Sequence, residues 1–283
     1  MTAAKKQLQA FIKNALKEDL GDGDHSSLSC IPGDAEGRAN LIVKEAGVIS
    51  GIDVAKAIFN EIQSDVNFQQ FISDGDTVKT GDIAFEINGK VHTILAGERL
   101  ALNCMQRMSG ISTYTKRLQD MISHTKCILL DTRKTTPGMR MLEKYAVLSG
   151  GGGNHRMGLY DMIMLKDNHI DFAGGIRPAI ERVRSYLKEK ELALAIEVEA
   201  RNMEEVSEIL ACGNVDRIML DNFTPIDVQQ AVNLIGKRSE TEASGGITEN
   251  NIVAYAEAGV DFISVGALTH SVKSLDMSLK AYE

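Results

Sequence analysis

Apolar runs end in a polar or small residue at Asp131, Lys166, Glu199, Asp221, Ser244 and Gly266, with helical patterns between several of them. The last four of these ends follow one another at intervals of 22 or 23 residues. Helices read at about Arg177 to Lys188, Met203 to Ala211, Pro225 to Leu234 and Asn250 to Ala258, and Gly213 and Gly259 sit where C-terminal caps belong. Strands alternating with helices at this spacing build a parallel sheet, and right-handed crossovers curl it toward a barrel. The expected fold class is α/β: an incomplete TIM-like barrel, preceded by a smaller α+β domain.

The earlier part of the chain has a different pattern. Leu8, Phe11, Ile12, Ala15 and Leu16 are spaced as an amphipathic first helix, and the acidic stretch from Glu18 to Ser27 reads as turns and caps. Short strands are expected at Leu41 to Val43, Val48 to Ile49, Ile83 to Ile87 and Val91 to Leu95, interrupted by a helix over Val54 to Gln63. Glu98 to Lys116 reads as a helix with an apolar stripe of Leu100, Ala101, Cys104, Met105, Met108 and Ile111. Arg99 falls in the first turn of that helix, where a cation opposes the helix dipole, which hints at a ligand. The expected domains are 1–110, 111–270 for the barrel, and a C-terminal segment, 271–283, packing back on the first.

The 283 residues carry a formal net charge of -8, which argues against a nucleic-acid partner. Cys30, Cys104, Cys127 and Cys212 are scattered with no C-x-x-C pair, so reduced thiols in a cytoplasm are the expectation. No apolar run approaches the ~20 residues of a membrane span, and no membrane partner is expected.

Against that acidic background, a cluster of cations stands out. The stretch Asp131 to Ile170 delivers Arg133 and Lys134 from one strand end, His155 and Arg156 from a loop after four glycines, Gly150 to Gly153, and Lys166 from a second strand end. Basic loop residues are usually solvated surface. Here each follows an apolar run or a glycine turn, and α/β folds bind ligands at the C-terminal ends of their strands. The cluster therefore reads as a site for a multiply charged anion. Glu199 and Asp221 end strands on the same face and suit ribose hydroxyls or Mg²⁺, with Glu197 as a second candidate. His155 and His169 are candidates for acid-base work or for hydrogen bonding. Ser244, Gly245 and Gly246 precede a helix and read as a phosphate cradle with Gly266.

The same stretch contains D-T-R-K-T-T-P-G, E-K-Y-A-V, G-G-G, N-H-R and K-D-N-H. It resembles the quinolinate phosphoribosyltransferase family, and the likeness reaches both ends through Glu18-Asp19, Gly97-Glu98-Arg99, Glu197-Val198-Glu199, Leu220-Asp221-Asn222-Phe223 and Ala243 to Ile247. The resemblance implies an open-sandwich N-terminal domain, an incomplete barrel and a homodimer. It implies the joining of quinolinate to phosphoribosyl pyrophosphate, with Mg²⁺, to give nicotinate mononucleotide, carbon dioxide and pyrophosphate. By the same resemblance Arg99, Thr132, Arg133, Lys134, His155, Arg156 and Lys166 would hold the substrate anions, with Arg99 reaching the partner subunit's site. Glu199 and Asp221 would hold ribose and magnesium, and Ser244, Gly245, Gly246, Gly266, Ala267 and Leu268 the sugar phosphate. Lys134, Lys166, Glu199 and Asp221 would be the catalytic set. The alternatives are a Schiff-base aldolase using Lys166 and a non-catalytic phosphate-binding module.

Overall fold

The computed structural model describes residues 3–282, with side chains from Lys5 onward. In chain order the elements are α1 (Ala3–Leu20), α2 (His25–Cys30), β1 (Glu36–Val43), β2 (Gly47–Val48), α3 (Ile52–Ile62), β3 (Asn67–Gln70), β4 (Thr77–Val78), β5 (Ile83–Lys90) and α4 (Val91–Met121). There follow β6 (Ile128–Leu130), α5 (Arg140–Ser149), β7 (Ile163–Leu165), α6 (Asp167–Ala173), α7 (Ile176–Glu189), β8 (Ile196–Ala200), α8 (Met203–Cys212) and β9 (Arg217–Asp221). The chain ends with α9 (Pro225–Ile235), β10 (Glu240–Ser244), α10 (Ile252–Glu257), β11 (Phe262–Ser264), α11 (Ala267–His270) and β12 (Met277–Tyr282). Two compact units result: Met1–Lys116 with Thr135–Gly151 and Leu268–Glu283, and Arg117–Lys134 with Gly152–Ala267.

The first unit is built on an antiparallel sheet in the order β12-β1-β5-β3. Alternation along β1 buries Ala39, Leu41 and Val43 on one face, as a half-covered strand requires. Phe85 of this sheet meets Phe59 of α3 edge-on, with ring centroids 6.3 Å apart, and Phe68 at 4.3 Å. A Cβ at Gly97 would sit 2.5 Å from the Phe59 ring, so only glycine admits α4 here.

Four expectations change, wholly or in part, in this unit. Val91 to Leu95, expected as a short strand, is the opening of the 31-residue α4. Arg99 therefore lies past the first turn, and the dipole argument for it lapses. On the same helix Leu102 is buried where Leu100 was expected. In the stretch read as turns and caps, α1 runs on to Leu20 and a short α2 follows, while the expected cap is present: Asp24 accepts the Ser27 amide at 3.2 Å.

The second unit carries six parallel strands in the order β6-β11-β10-β9-β8-β7. β6 and β7 stand at opposite edges and do not pair, which leaves the barrel incomplete. On β6's free edge the Gly153 backbone bridges instead, its N–H donating to Leu129 at 2.7 Å. Side chains supply the helix starts. Asn202 accepts the Glu205 amide to begin α8, and Thr224 accepts the Asp227 amide to begin α9, with Pro225 in the first turn. Such caps contribute roughly 1 kcal/mol each. Gly213 and Gly259 end helices with φ of 67° and 93°.

Candidate active site

Strand register decides which side chains share a face. Glu197 lies opposite Arg217, and Arg217 opposite Glu240; Glu199 lies opposite Met219, Met219 opposite Glu242, and Glu242 opposite Phe262. Asp221 lies opposite Ser244. Because successive side chains alternate, these positions form three layers on one face, the last at the strands' C-terminal mouth. β8 runs through Glu199 to Ala200, so Glu199 is inside the strand rather than just beyond it.

At the mouth, Lys166 Nζ lies 3.0 Å from Glu199 Oε2. Asp221 stands beside them. Burial, and then the charge of Glu199, raises its pKa above the ordinary carboxylate value, while Lys166 and a hydrogen bond from Asn222 pull it down. His169 Nδ1 accepts the Lys166 amide at 3.0 Å and helps close the first turn of α6. That nitrogen is thereby committed to the helix start.

Below, His155 and Glu197, both candidates from the sequence, join a charged layer with Arg217 and Glu242, which the sequence did not single out. Arg217 Nη1 is 3.0 Å from Glu242 and its Nη2 3.0 Å from Glu240, and its guanidinium lies 3.9 Å from the Phe262 ring centroid. His155 Nε2 is 2.9 Å from Glu197 and 3.4 Å from Glu242. Glu197 and Glu242 are both 0% exposed. Charged residues inside parallel strands, where apolar runs are the rule, were the available signal. Among the described residues, His155, Glu197 and Glu242 bring three potential metal-ligand atoms within 4.8 Å of one another. Arg217 already supplies a cation to Glu242, so the cluster reads as a charge network.

The cation loop hangs from this layer. Asp131 is fully buried and accepts the His155 amide at 2.9 Å. His155 Nδ1 accepts the Arg156 amide at 2.7 Å, so each ring nitrogen already faces a protein group. Burial would lower the imidazole pKa, but Glu197 and Glu242 outweigh it and raise it to about 9. Arg156 is pulled below its ordinary range by burial and then by the charge of Arg133, so those two cations share one region of field. Arg133 and Lys134 are exposed, and Thr132 Oγ1 accepts the Lys134 amide at 3.0 Å.

Gly245 and Gly246 have φ of 92° and 62°. The helix expected directly behind them is the short α10, which starts only at Ile252. Any anion there meets loop amides rather than a helix terminus. Gly266 directly precedes α11, which holds Ala267 and Leu268. The structure thus brings Lys166, Glu199 and Asp221 together, and sets Arg133 beside Arg156. Arg99 is exposed on α4 and pairs with no carboxylate among the described residues. The four-glycine loop has two reasons for glycine. Gly151 has φ 85°, and a Cβ at Gly150 would lie 2.4 Å from the Ser112 carbonyl oxygen.

Residues 111–280 match the model of the quinolinate phosphoribosyl transferase C-terminal domain, and residues 24–109 that of the N-terminal domain. The chain is 48% identical over 288 residues to a chloroplastic nicotinate-nucleotide pyrophosphorylase [carboxylating] of Oryza sativa, covering 96% of this chain and 77% of that one. It is 42% identical over 273 residues to a probable nicotinate-nucleotide pyrophosphorylase [carboxylating] of Bacillus subtilis, covering 96% and 93%. The crystal structure of NadC from Streptococcus pyogenes superposes with a TM-score of 0.93 at 38% identity over 100% of both chains.

Proposed function

The chain belongs to the quinolinate phosphoribosyl transferase family, and from that membership we propose that it joins quinolinate to phosphoribosyl pyrophosphate, releasing carbon dioxide and pyrophosphate and forming nicotinate mononucleotide for NAD biosynthesis. The observation that carries this reading is the meeting of Arg133 with Arg156, and of Lys166 with Glu199, at the strand ends.

Quinolinate carries two adjacent carboxylates, and the sugar donor a phosphate and a pyrophosphate. Arginine forks and lysine ammonium groups offset their mutual repulsion. Arg133, Lys134 and Arg156 take the pyridine carboxylates, supported by Thr132 and His155. Lys166, Glu199 and Asp221 face the ribose, and Ser244, Gly245, Gly246, Gly266, Ala267 and Leu268 take its phosphate. As pyrophosphate leaves the sugar C1, the pyridine nitrogen supplies the electron pair for the new C–N bond. The pyridinium so formed accepts the pair left on ring C2 when its carboxylate departs as carbon dioxide, and a proton then adds at C2. The protein positions and supplies field; the ring is its own electron sink.

Glu199 and Asp221 are neighbouring oxygen donors of the kind Mg²⁺ takes, and they would hold it. When bound, Mg²⁺ would neutralise the leaving pyrophosphate. A homodimer in which exposed Arg99 completes the partner subunit's site is part of this reading. No helix among the described residues is long and apolar enough to cross a membrane. A cytoplasmic setting is part of the same reading.

The decisive assay supplies quinolinate and Mg²⁺ with and without phosphoribosyl pyrophosphate. Carbon dioxide is expected only when both substrates are present. Turnover of nicotinate but not quinolinate overturns the proposal.

A further inference from the structure

Three described residues other than glycine have positive φ: Glu191, Asn214 and Asn222. Glu191 and Asn214 lie in the turns that lead into β8 and β9, on the side away from the site. Asn222, at φ 58°, lies directly after the C-terminal end of β9, at the mouth. Left-handed backbone is unfavourable for a residue with a side chain, least so for asparagine and aspartate, and such strain collects at functional positions.

What the strained residue accomplishes is visible in its contacts. Along a strand, neighbours point to opposite faces, so Asp221 and Asn222 would ordinarily diverge. The left-handed turn brings them back together, and Asn222 Nδ2 donates to Asp221 Oδ2 at 2.6 Å. The Asn222 amide donates to the Ser244 carbonyl oxygen at 2.8 Å. Its Oδ1 lies over Gly245, only 2.3 Å from where a Cβ would stand. Gly245 itself has φ 92°, so both its backbone and its missing side chain fit this contact.

We infer that Asn222 is a positioning residue, holding the Asp221 carboxylate and the Gly245 turn in one arrangement so that ribose and phosphate of the sugar donor are met together. The inference rests on the reading of Asp221 and Ser244 to Gly246 as the donor side.

Asn222→Gly tests it, since glycine keeps the left-handed backbone and deletes only the side chain. The expected result is a KM for phosphoribosyl pyrophosphate raised about tenfold or more, with the quinolinate KM within about twofold of wild type and the melting temperature unchanged. Gly245→Ala is expected to raise the same KM, because it displaces Asn222. Calorimetric binding of phosphoribosyl pyrophosphate alone should weaken in parallel. A wild-type donor KM in Asn222→Gly, or equal rises in both KM values, overturns the inference. Asp221→Asn, assayed alongside, separates the two readings. A raised donor KM there with a wild-type value in Asn222→Gly overturns the positioning role alone, whereas a wild-type donor KM in both also overturns the donor-side assignment.

Discussion

The Lys166 ammonium stands 3.0 Å from the Glu199 carboxylate, one step beyond the point where Leu165 of β7 pairs with Val198 of β8. Register alone sets these two side chains together, and the pair is a salt bridge rather than a free amine awaiting a carbonyl.

In the proposed reaction, loss of Glu199 removes the negative charge facing the developing sugar cation, and loss of Lys166 removes a cation for the substrate anions and leaves Glu199 without its partner. Lys166→Met and Glu199→Gln are each expected to lower kcat/KM by about 100-fold. The double variant should fall short of the product, as contacting residues do. Borohydride with a carbonyl compound should leave the protein mass unchanged. A covalent adduct at Lys166 would restore the aldolase reading.

Asp221 makes the site costly to fold. Its raised pKa means that the folded state favours the protonated form, so its stabilising contribution is full below the unfolded value of 3.8 and lost as pH rises through the folded value. At neutral pH the ionised group therefore destabilises. Asp221→Asn is expected to melt higher than wild type at pH 7 while losing activity, with the difference gone at pH 3. A lower melting temperature at pH 7 would refute this.

The barrel was legible in the sequence because its spacing is a packing requirement: Glu199, Asp221 and Ser244 recur as each strand and helix of similar length returns to the sheet. Lys166 and Asp221 were legible because polarity begins where a buried strand stops. Val91 to Leu95 misled because a short run rich in β-branched and apolar residues does not separate a strand from the first turns of a helix, here one of 31 residues. Glu242 and Arg217 escaped notice for another reason. A buried carboxylate is explained only by its partner, and Arg217 lies on a different strand, 3.0 Å away in space. Asn222 is visible in the sequence only as part of a motif, since its backbone strain leaves no mark in composition.

Arg133 should act on one substrate. Its charge is felt by Arg156, so Arg133→Ala is expected to raise the quinolinate KM about tenfold or more, the scale of a lost charge-assisted bond. The donor KM should stay near wild type. Quinolinate should raise the melting temperature of the wild type but not of Arg133→Ala. Equal protection of both proteins would place the diacid elsewhere.

The thiols should separate by burial. Desolvation pushes Cys104 and Cys127 up to about 12, whereas Cys30 is exposed. Ellman's reagent at pH 8 is expected to modify Cys30 at once and to reach Cys104 and Cys127 only on unfolding. Rapid labelling of all four in the native protein would contradict the packing around α4 and β6.

The His155 ring links the buried charge layer to the cation loop. Glu197 and Glu242 raise its pKa to about 9, above the ordinary 6.5, so its contribution to stability is full below pH 6.5 and lost as pH rises through about 9. The second ring proton must take the Nδ1 position that accepts the Arg156 amide at 2.7 Å. Protonation and release of that amide are therefore one event. In ¹⁵N spectra of the labelled protein, the His155 ring and the Arg156 amide should shift together, with a midpoint near 9. Glu242→Gln, which removes one of the two raising charges, should move both midpoints down. A ring that titrates near 6.5 while the Arg156 amide stays still would show that the two carboxylates do not govern it.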